Sequence, residues 1–98
     1  MNKIKKRAIA GTLESSDAFV EVVPLEEDTI KIELQSSVEE LYGDDIRASI
    51  MEVVNRLGVH AISIAVQDKG ALDFVIKARV QAAILRASED AEITWEKL

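Results

Sequence analysis

The stretch Thr29-Ile30-Lys31-Ile32-Glu33-Leu34-Gln35 decides the fold class of this chain. Apolar and polar side chains alternate along it, with the apolar set at Ile30, Ile32 and Leu34. Because successive side chains of a strand point to opposite faces, this alternation predicts a β-strand with one face on a core and the other in water. The chain is therefore predicted to build a sheet, and the segments on either side must pair with it or pack on it.

Two more strands are predicted before this stretch. Ala8 to Leu13 forms the first, and Ala18 to Val23, which is rich in valine, forms the second. The first strand places three alternate residues on one face: Ile9, Gly11 and Leu13. Between the two strands lies Glu14-Ser15-Ser16-Asp17, a polar tetrapeptide of turn-forming residues. We therefore expect a β-hairpin with Ser15 and Ser16 at its tip.

A helix is predicted to follow. Ser37 and Glu40 have the spacing of a capping box, so the helix is expected to begin at Ser37. Gly43 and Asp44 are expected to interrupt its first turns, with Asp44 as a second cap. Gly58 suits the position just beyond its end. The apolar residues in between recur at helical spacing, at Ile46, Ile50, Val53, Val54 and Leu57.

A fourth strand and a second helix complete the pattern. Val59 to Gln67 is apolar on both faces, which predicts a central place in the sheet. Asp68-Lys69-Gly70 then turns the chain into the helix, with Asp68 or Gly70 at its cap. This helix is expected to bury a stripe made of Leu72, Val75, Ile76, Val80, Ala83, Ile84 and Ala87. The acidic tail after it offers Ile93 and Trp95 as the side chains able to dock on the body.

The element order β-β-β-α-β-α predicts an α+β fold. We expect a two-layer sandwich in which a mainly antiparallel sheet carries both helices on one face. The length of 98 residues fits a single domain, 1–98. A basic arm, 1–7, and the acidic tail, 89–98, are expected to be its flexible ends.

Composition narrows the classes of function. The sequence has no cysteine, which excludes disulfides, thiolate catalysis and cysteine metal sites. A cysteine-free chain suits a reducing compartment, and we expect a cytoplasmic location. No apolar run approaches the roughly 18–20 residues that span a bilayer, and the N-terminus lacks the apolar stretch of a signal peptide.

The charge is unevenly distributed. The net charge is −6, yet four of the 12 basic residues lie within 1–7, where no acid occurs. Residues 8–98 therefore carry eight basic and 18 acidic side chains. An acidic body disfavours nucleic acid and anionic membranes, and it favours partners with basic docking surfaces. Simple solubility explains the same excess of acids.

Catalytic groups are scarce. His60 is the only histidine, and its strand parity places it at the rim of the sheet. Without a second histidine or a cysteine, any metal site would have to consist of carboxylates alone. The adjacent acids Asp44 and Asp45 suit the start of a helix, where the macrodipole favours them. We therefore predict no metal site and no catalytic centre in the isolated chain.

Two basic residues need separate explanations. Asp68-Lys69-Gly70 resembles the turn that carries lipoyl or biotinyl groups on a lysine, but that turn belongs to a hairpin of an all-β domain. Here it leads into a helix, which favours a structural role. Arg79 falls within the apolar stripe of that helix, where a guanidinium needs a partner. It either snorkels or pairs with an acid, or it binds an anion such as a phosphate.

The serines of the hairpin have an ordinary and a functional interpretation. Ser-Ser-Asp is common turn chemistry, and a serine without a general base is a poor nucleophile. An exposed hairpin tip is, however, accessible to a modifying enzyme. The segment Ala10–Asp17 is similar to the N-terminal signature of the citrate lyase acyl carrier protein family, the γ subunit. Further segments that match this family are Ser36–Glu39, Gly43–Arg47, Asp68–Asp73 and Ala78-Arg79.

This resemblance implies a carrier rather than an enzyme. The family esterifies a serine with 2′-(5″-phosphoribosyl)-3′-dephospho-CoA, and the motif places that serine at Ser15. Glu14 and Asp17 would support the site, while Ser16 stands where the family usually has glycine. The thiol of the group would hold acetyl and citryl thioesters while citrate is cleaved to acetate and oxaloacetate.

The resemblance also implies partners. These are a transferase α subunit, a lyase β subunit and a holo-carrier synthase, with no nucleic acid and no membrane among them. Two alternatives remain open at this point. The chain could be the carrier subunit of malonate decarboxylase, which uses the same group, or a plain protein-interaction module in which Ser15 is only a turn residue.

Overall fold

Residues 3–89 are described by the computed structural model of the chain, and their elements follow one another in the predicted order. Ile93 and Trp95, with most of the acidic tail, lie outside the described residues. The elements are β1 (Ala8–Gly11), β2 (Ala18–Pro24), β3 (Ile30–Ser36), α1 (Glu39–Arg56), β4 (Ile62–Asp68) and α2 (Asp73–Ser88).

The four strands form one sheet in the order β1-β2-β4-β3. β1 pairs with β2 and β2 with β4 in antiparallel fashion, whereas β3 and β4 are parallel. The parallel pair arises because α1 carries the chain from one end of β3 back to the start of β4. The predicted mainly antiparallel sheet is confirmed, and β4 has the predicted interior place.

One face of the sheet is covered by both helices. The register aligns Ile64 of β4 with Val22 of β2 and with Ile32 of β3, so the apolar side chains of neighbouring strands share that face. The helices close the core with fully buried side chains that include Ile50, Val53, Val54, Ile76, Val80 and Ile84. Burying each of these aliphatic side chains stabilises the fold by about 1.5–3 kcal/mol. The predicted two-layer α+β architecture is therefore confirmed.

The other face of the sheet carries no helix. Ile9 lies on it, opposite Glu21 of β2, because Ala8 and Ala10 take the core-facing positions of β1. β1 also ends at Gly11, two residues earlier than predicted. A φ of +89° at Gly11 turns the chain out of the strand there, and Leu13 is exposed in the following loop.

The predicted start of α1 is wrong. The helix begins at Glu39 with Val38 as its N-cap, and no side chain caps it. Ser36, not Ser37, makes the local bond, since its Oγ accepts from the Val38 N–H at 3.1 Å. The helix also continues through Gly43 without interruption, so Asp44 is not a second cap. Gly58, with a φ of +68°, follows the C-cap Leu57 as predicted.

The two ends of α2 differ from expectation in other ways. Its N-cap is Leu72, which is exposed rather than part of the buried stripe. At its C-terminal end, the Ala87 carbonyl accepts from the Lys5 N–H at 2.8 Å, and Ile4 is buried in the core. Residues 4 and 5 of the predicted basic arm thus pack on the body instead of extending into solvent.

Candidate functional site

The predicted hairpin loop, residues 12–17, joins β1 to β2 at the end of the sheet where β4 finishes and both helices begin. Ser15 and Ser16 occupy the turn at its tip and are both exposed. The turn is closed by the Asp17 N–H, which donates to the Glu14 carbonyl at 3.2 Å. The structure therefore confirms a hairpin with these two serines at its tip. This end of the molecule is called the serine end below.

Ser16 has an unusual backbone conformation. Its φ of +65° is the only positive φ at a non-glycine residue within 3–89. A positive φ at the third position of a turn favours glycine, because a side chain there is strained. The Ser16 N–H donates to the Lys69 carbonyl at 2.8 Å, which fixes the residue in this conformation. Ser15 precedes it with an ordinary backbone and an exposed hydroxyl.

The carboxylate of Asp17 holds both ends of the loop. Its Oδ2 accepts from the Thr12 hydroxyl at 2.7 Å, and its Oδ1 accepts from the Ala18 N–H at 2.7 Å. Arg79 donates to both oxygens, from Nε at 2.9 Å and from Nη2 at 3.0 Å. These donors, Arg79 first and then Thr12 and Ala18, lower the pKa of Asp17 far below its usual range. Asp17 is therefore a fixed anion that organises the loop.

Arg79 reaches this carboxylate from α2, although 62 positions separate the two residues in sequence. The pairing raises the pKa of Arg79, with the Asp17 hydrogen bond as the largest cause. Of the two predicted explanations for this arginine, the ion pair with an acid is the one that the structure shows. Its Nε and Nη2 face a carboxylate of the protein itself.

Gly11 allows the loop to close against β2. A Cβ at this position would lie 1.8 Å from the Ala18 carbonyl oxygen and 3.1 Å from Cδ of Arg79. Backbone cannot retreat from a contact of 1.8 Å without moving the hairpin. The glycine is therefore needed for space as well as for its φ of +89°.

A second turn supports the loop from the side. Lys69 donates its N–H to the Asp17 carbonyl at 3.0 Å, in addition to accepting from Ser16. The preceding Asp68 is buried and accepts from the Ser36 hydroxyl at 2.8 Å and from the Ala71 N–H at 2.8 Å. Asp68-Lys69-Gly70 is thus the predicted strand-to-helix turn. Neither Asp68 nor Gly70 caps α2, because the Asp68 carboxylate accepts from the Gly70 and Ala71 N–H groups of the turn and Leu72 is the N-cap.

The predicted supporting residues differ in what they contribute. Asp17 is the centre of the network, whereas Glu14 contributes its backbone, with its carbonyl accepting from Asp17 and its N–H donating to the Thr12 hydroxyl at 3.2 Å. Thr12 and the backbone of Lys69 were not predicted as site residues. The Thr12-x-x-x-x-Asp17 spacing across a turn was a usable signal for the first. No local pattern predicts the second.

His60 lies at the opposite end of the sheet. It is exposed just before β4 and lines an open hollow of about 390 Å³ with Lys3, Ile4, Leu25, Glu26, Asp28 and Ala61. Across 3–89, no three histidine or acidic side chains come together as metal ligands. In the same range, neither helix is long and apolar enough to cross a bilayer.

Comparison with known proteins places the chain in a family. A family model described as malonate decarboxylase delta subunit (MdcD) matches residues 5–87. A citrate lyase acyl carrier protein of Haemophilus influenzae is 51% identical over 94 residues, which cover 96% of each chain. The chain belongs to the citrate lyase acyl carrier protein family. The family member of Edwardsiella ictaluri is 45% identical, again over 96% of each chain.

A solved structure supports the fold of this family member. The chain is similar to one from a Pseudomonas malonate decarboxylase hetero-tetramer, with a TM-score of 0.75 and 20% sequence identity. The likeness covers 89% of this chain and 92% of that one. At this identity it shows the shared fold alone.

Proposed function

We propose that this family member is the acyl carrier subunit of a citrate lyase and that Ser15 is the residue that receives the prosthetic group. The observation that carries the proposal is an exposed serine hydroxyl on a turn whose two flanks are fixed by one carboxylate. The names of relatives at 45–51% identity support the same function.

Ser15 is the better acceptor of the two serines. Its hydroxyl is exposed, and its backbone carries no positive φ. Ser16 takes the strained position of the turn, and its N–H is used to anchor the loop on Lys69. A modifying enzyme therefore meets Ser15 as an accessible side chain on a fixed backbone.

The chain supplies position and leaves the chemistry of attachment to the modifying enzyme. Asp17 lies two residues from Ser15, yet its carboxylate accepts from three groups and its pKa is lowered. An anion that is held so firmly is a weak proton acceptor. Asp17, Thr12 and Arg79 are therefore positioning residues, and a holo-carrier synthase provides the base.

The expected group, 2′-(5″-phosphoribosyl)-3′-dephospho-CoA, fits this loop. It needs an accessible hydroxyl for its phosphodiester and no cavity of its own, and Ser15 offers such a hydroxyl. When bound, the group supplies a thiol on a long arm that holds acetyl and citryl units as thioesters. The chain itself then makes and breaks no substrate bond, and the purified carrier is expected to show no citrate cleavage without the other subunits.

The partners follow from this function. A transferase subunit and a lyase subunit act in turn on the carried group, and a long arm lets one thioester reach both at high effective concentration. The cytoplasmic location expected from the cysteine-free sequence belongs to the same proposal.

The carrier subunit of malonate decarboxylase is the second candidate. The description of the matching family model and the fold of the Pseudomonas hetero-tetramer chain favour it. Identity of 45–51% to citrate lyase carriers against 20% to that chain ranks citrate lyase first. Subunits that co-purify from the native host distinguish the two enzymes.

The direct test is the mass of the modified protein. The chain is co-expressed with the modifying enzymes as wild type, as Ser15→Ala and as Ser16→Gly. The wild type and Ser16→Gly should gain the mass of the group, and Ser15→Ala should not. A wild-type chain that gains no mass would point to a plain interaction module. Modification of Ser15→Ala but not of Ser16→Gly would show that Ser16 is the acceptor.

A further inference from the structure

Exposed apolar side chains concentrate at the serine end. Five large ones are more than half exposed: Leu13 (55%), Leu41 (79%), Tyr42 (53%), Leu72 (63%) and Phe74 (68%). These five residues are called the apical surface. The other exposed large apolar residues of the described chain, Ile9, Val23 and Leu85, reach at most 41%. The most exposed apolar groups thus lie where the proposed attachment serine lies.

Chain topology places the five residues at one end. β2 begins at the serine end, β4 runs antiparallel to β2, and β3 runs parallel to β4, so β3 and β4 both finish there. Each of these two strands is followed by a helix, so the first turns of α1 and α2 start at the same end. Leu41 and Tyr42 lie in the first turn of α1, and Leu72 and Phe74 at the start of α2.

The two helices begin at different heights. The Ser49 hydroxyl of α1 bonds Asp73 at the start of α2, and Lys77 of α2 pairs with Glu52 of α1 at 2.7 Å. The helices therefore run side by side in the same direction, and α1 starts earlier. Tyr42 precedes Ser49 by seven residues on the same helix face, about 10 Å along the axis. Tyr42 therefore lies beyond the start of α2 along the helix axis, and at that start Leu72 and Phe74 flank Asp73 in sequence.

The rim of the apical surface is mainly acidic, with Lys69 of the β4–α2 turn as an exposed cation. Glu14 lies beside Leu13, and Glu40, Asp44 and Asp45 lie on the first two turns of α1, all four exposed. An apolar centre with a charged rim is the common anatomy of a protein interface. The negative rim disfavours a second copy of this chain, since like charges would face each other. It disfavours anionic lipid for the same reason.

We propose that the apical surface is the docking site for the catalytic subunits that act on the carried group. The partner it fits is a protein surface with an apolar hollow and a rim of lysine and arginine. This inference rests on the proposed function, because the group on Ser15 must enter a partner's active site from this end. Docking through the apical surface would bring Ser15 to the partner's entrance.

The chain offers a matched pair of variants for the test. Leu72 and Leu85 are both exposed leucines of α2, one at its start and one near its end. Leu72→Ser removes an apical side chain and places a favoured residue type at the N-cap, so the fold should not be weakened. The apical variant combines Leu72→Ser with Phe74→Ser, and it is compared with wild type and with the control variant Leu85→Ser. The three proteins are compared after modification, which mass spectrometry verifies.

Binding is measured by surface plasmon resonance of each holo-carrier on the separate transferase and lyase subunits. Leu72→Ser with Phe74→Ser should bind at least about tenfold more weakly than wild type, while Leu85→Ser should match wild type. Wild-type binding should also weaken as salt rises, because the rim is charged.

The outcomes separate this inference from the proposed function. If the wild type is modified and binds, but the apical variant binds equally well, the docking site lies elsewhere and the carrier function stands. If the wild type gains no group at all, the carrier function itself fails. If the wild type forms a dimer in sedimentation that the apical variant loses, the surface serves self-association, and the inference is overturned.

Discussion

The two ends of the sheet keep their loops in place by different means. At the opposite end, the turn between β2 and β3 uses backbone bonds, with the Thr29 N–H donating to Glu27 at 2.8 Å and the Ile62 N–H donating to Thr29 at 3.0 Å. At the serine end, the side chain of Asp17 joins Thr12, Ala18 and Arg79. A backbone-held turn tolerates substitution of its side chains, whereas a loop held by one carboxylate depends on single residues.

Among substitutions at the two ends of the sheet, Gly11→Ala is expected to destabilise the protein most. The added Cβ meets the Ala18 carbonyl at 1.8 Å and also strains a φ of +89°, so the free energy of unfolding should fall by more than about 2 kcal/mol. Urea denaturation measures it. Gly70→Ala is the matched control, since Gly70 has a φ of +87° with open space around its Cβ. It should lose only the roughly 1–2 kcal/mol that a Cβ costs at a positive φ. Equal losses in the two variants would remove the steric argument.

Asp17→Asn and Arg79→Leu should loosen the serine loop. Either change breaks the ion pair that ties the loop to α2, so amide hydrogen exchange at residues 12–17 should accelerate and modification of Ser15 should slow. Glu21→Gln, which breaks the exposed pair with Arg7 on the open sheet face, is the control and should change neither. If Arg79→Leu leaves exchange and modification unchanged, Arg79 is a bystander on the surface.

Lowering the pH should weaken the serine end by a smaller amount than these substitutions do. The pKa of Asp17 is lowered in the folded chain, so the unfolded chain takes up the proton first as pH falls. The stability from Asp17 is therefore fully present above about pH 4, the ordinary pKa range of aspartate, and declines below it. Urea midpoints between pH 2.5 and 7 should show a shallower acid decline for Asp17→Asn than for wild type. If the midpoints of the two proteins fall in parallel with pH, the hydrogen bonds and ion pair of the Asp17 carboxylate do not form in solution.

His60→Ala should have the smallest effect. The residue is exposed at the opposite end of the sheet, so its loss should change the free energy of unfolding by about 0.5 kcal/mol or less. Modification of Ser15 and binding of the catalytic subunits should keep wild-type rates. A loss of modification in this variant would show that the synthase also contacts the opposite end.

Local pattern was enough to predict most of the fold. The alternation at 29–35 corresponds to β3, and the helical spacing of Ile46, Ile50 and Val53 corresponds to a core-facing helix. The apolar run from Val59 corresponds to β4, although the strand begins three residues later than predicted, at Ile62. Within the predicted stripe of α2, Leu72 fits by spacing but is exposed. It lies at the N-cap, where the chain has not yet entered the helix, so helical periodicity does not apply to it.

The candidate site was predictable only in part. The Ser15-Ser16 turn follows from turn chemistry, and the positive φ of Ser16 agrees with a place where the family usually has glycine. The capping box at Ser37 failed, since the helix begins at Glu39 with Val38 as its N-cap. The neighbouring Ser36 bonds Asp68, a residue 32 positions away. The Asp17–Arg79 pair spans 62 positions, and only the folded sheet brings the two residues together. A contact between residues so far apart in sequence produces no pattern in the spacing of neighbouring residues.

The bonds from Asp17 and Lys69 have one more consequence. They make the backbone of the hairpin tip a stationary pivot, because it is tied to α2 by Arg79 and to the β4–α2 turn by Ser16 and Asp17. Any group attached at Ser15 would then swing about a fixed point, and its reach would be set by its own length. A mobile loop would add its own motion to that of the group and would lower the effective concentration of the thiol. If Ser15 carries the proposed arm, this stiffness would confine the motion of the thiol to the region that the proposed catalytic subunits must reach.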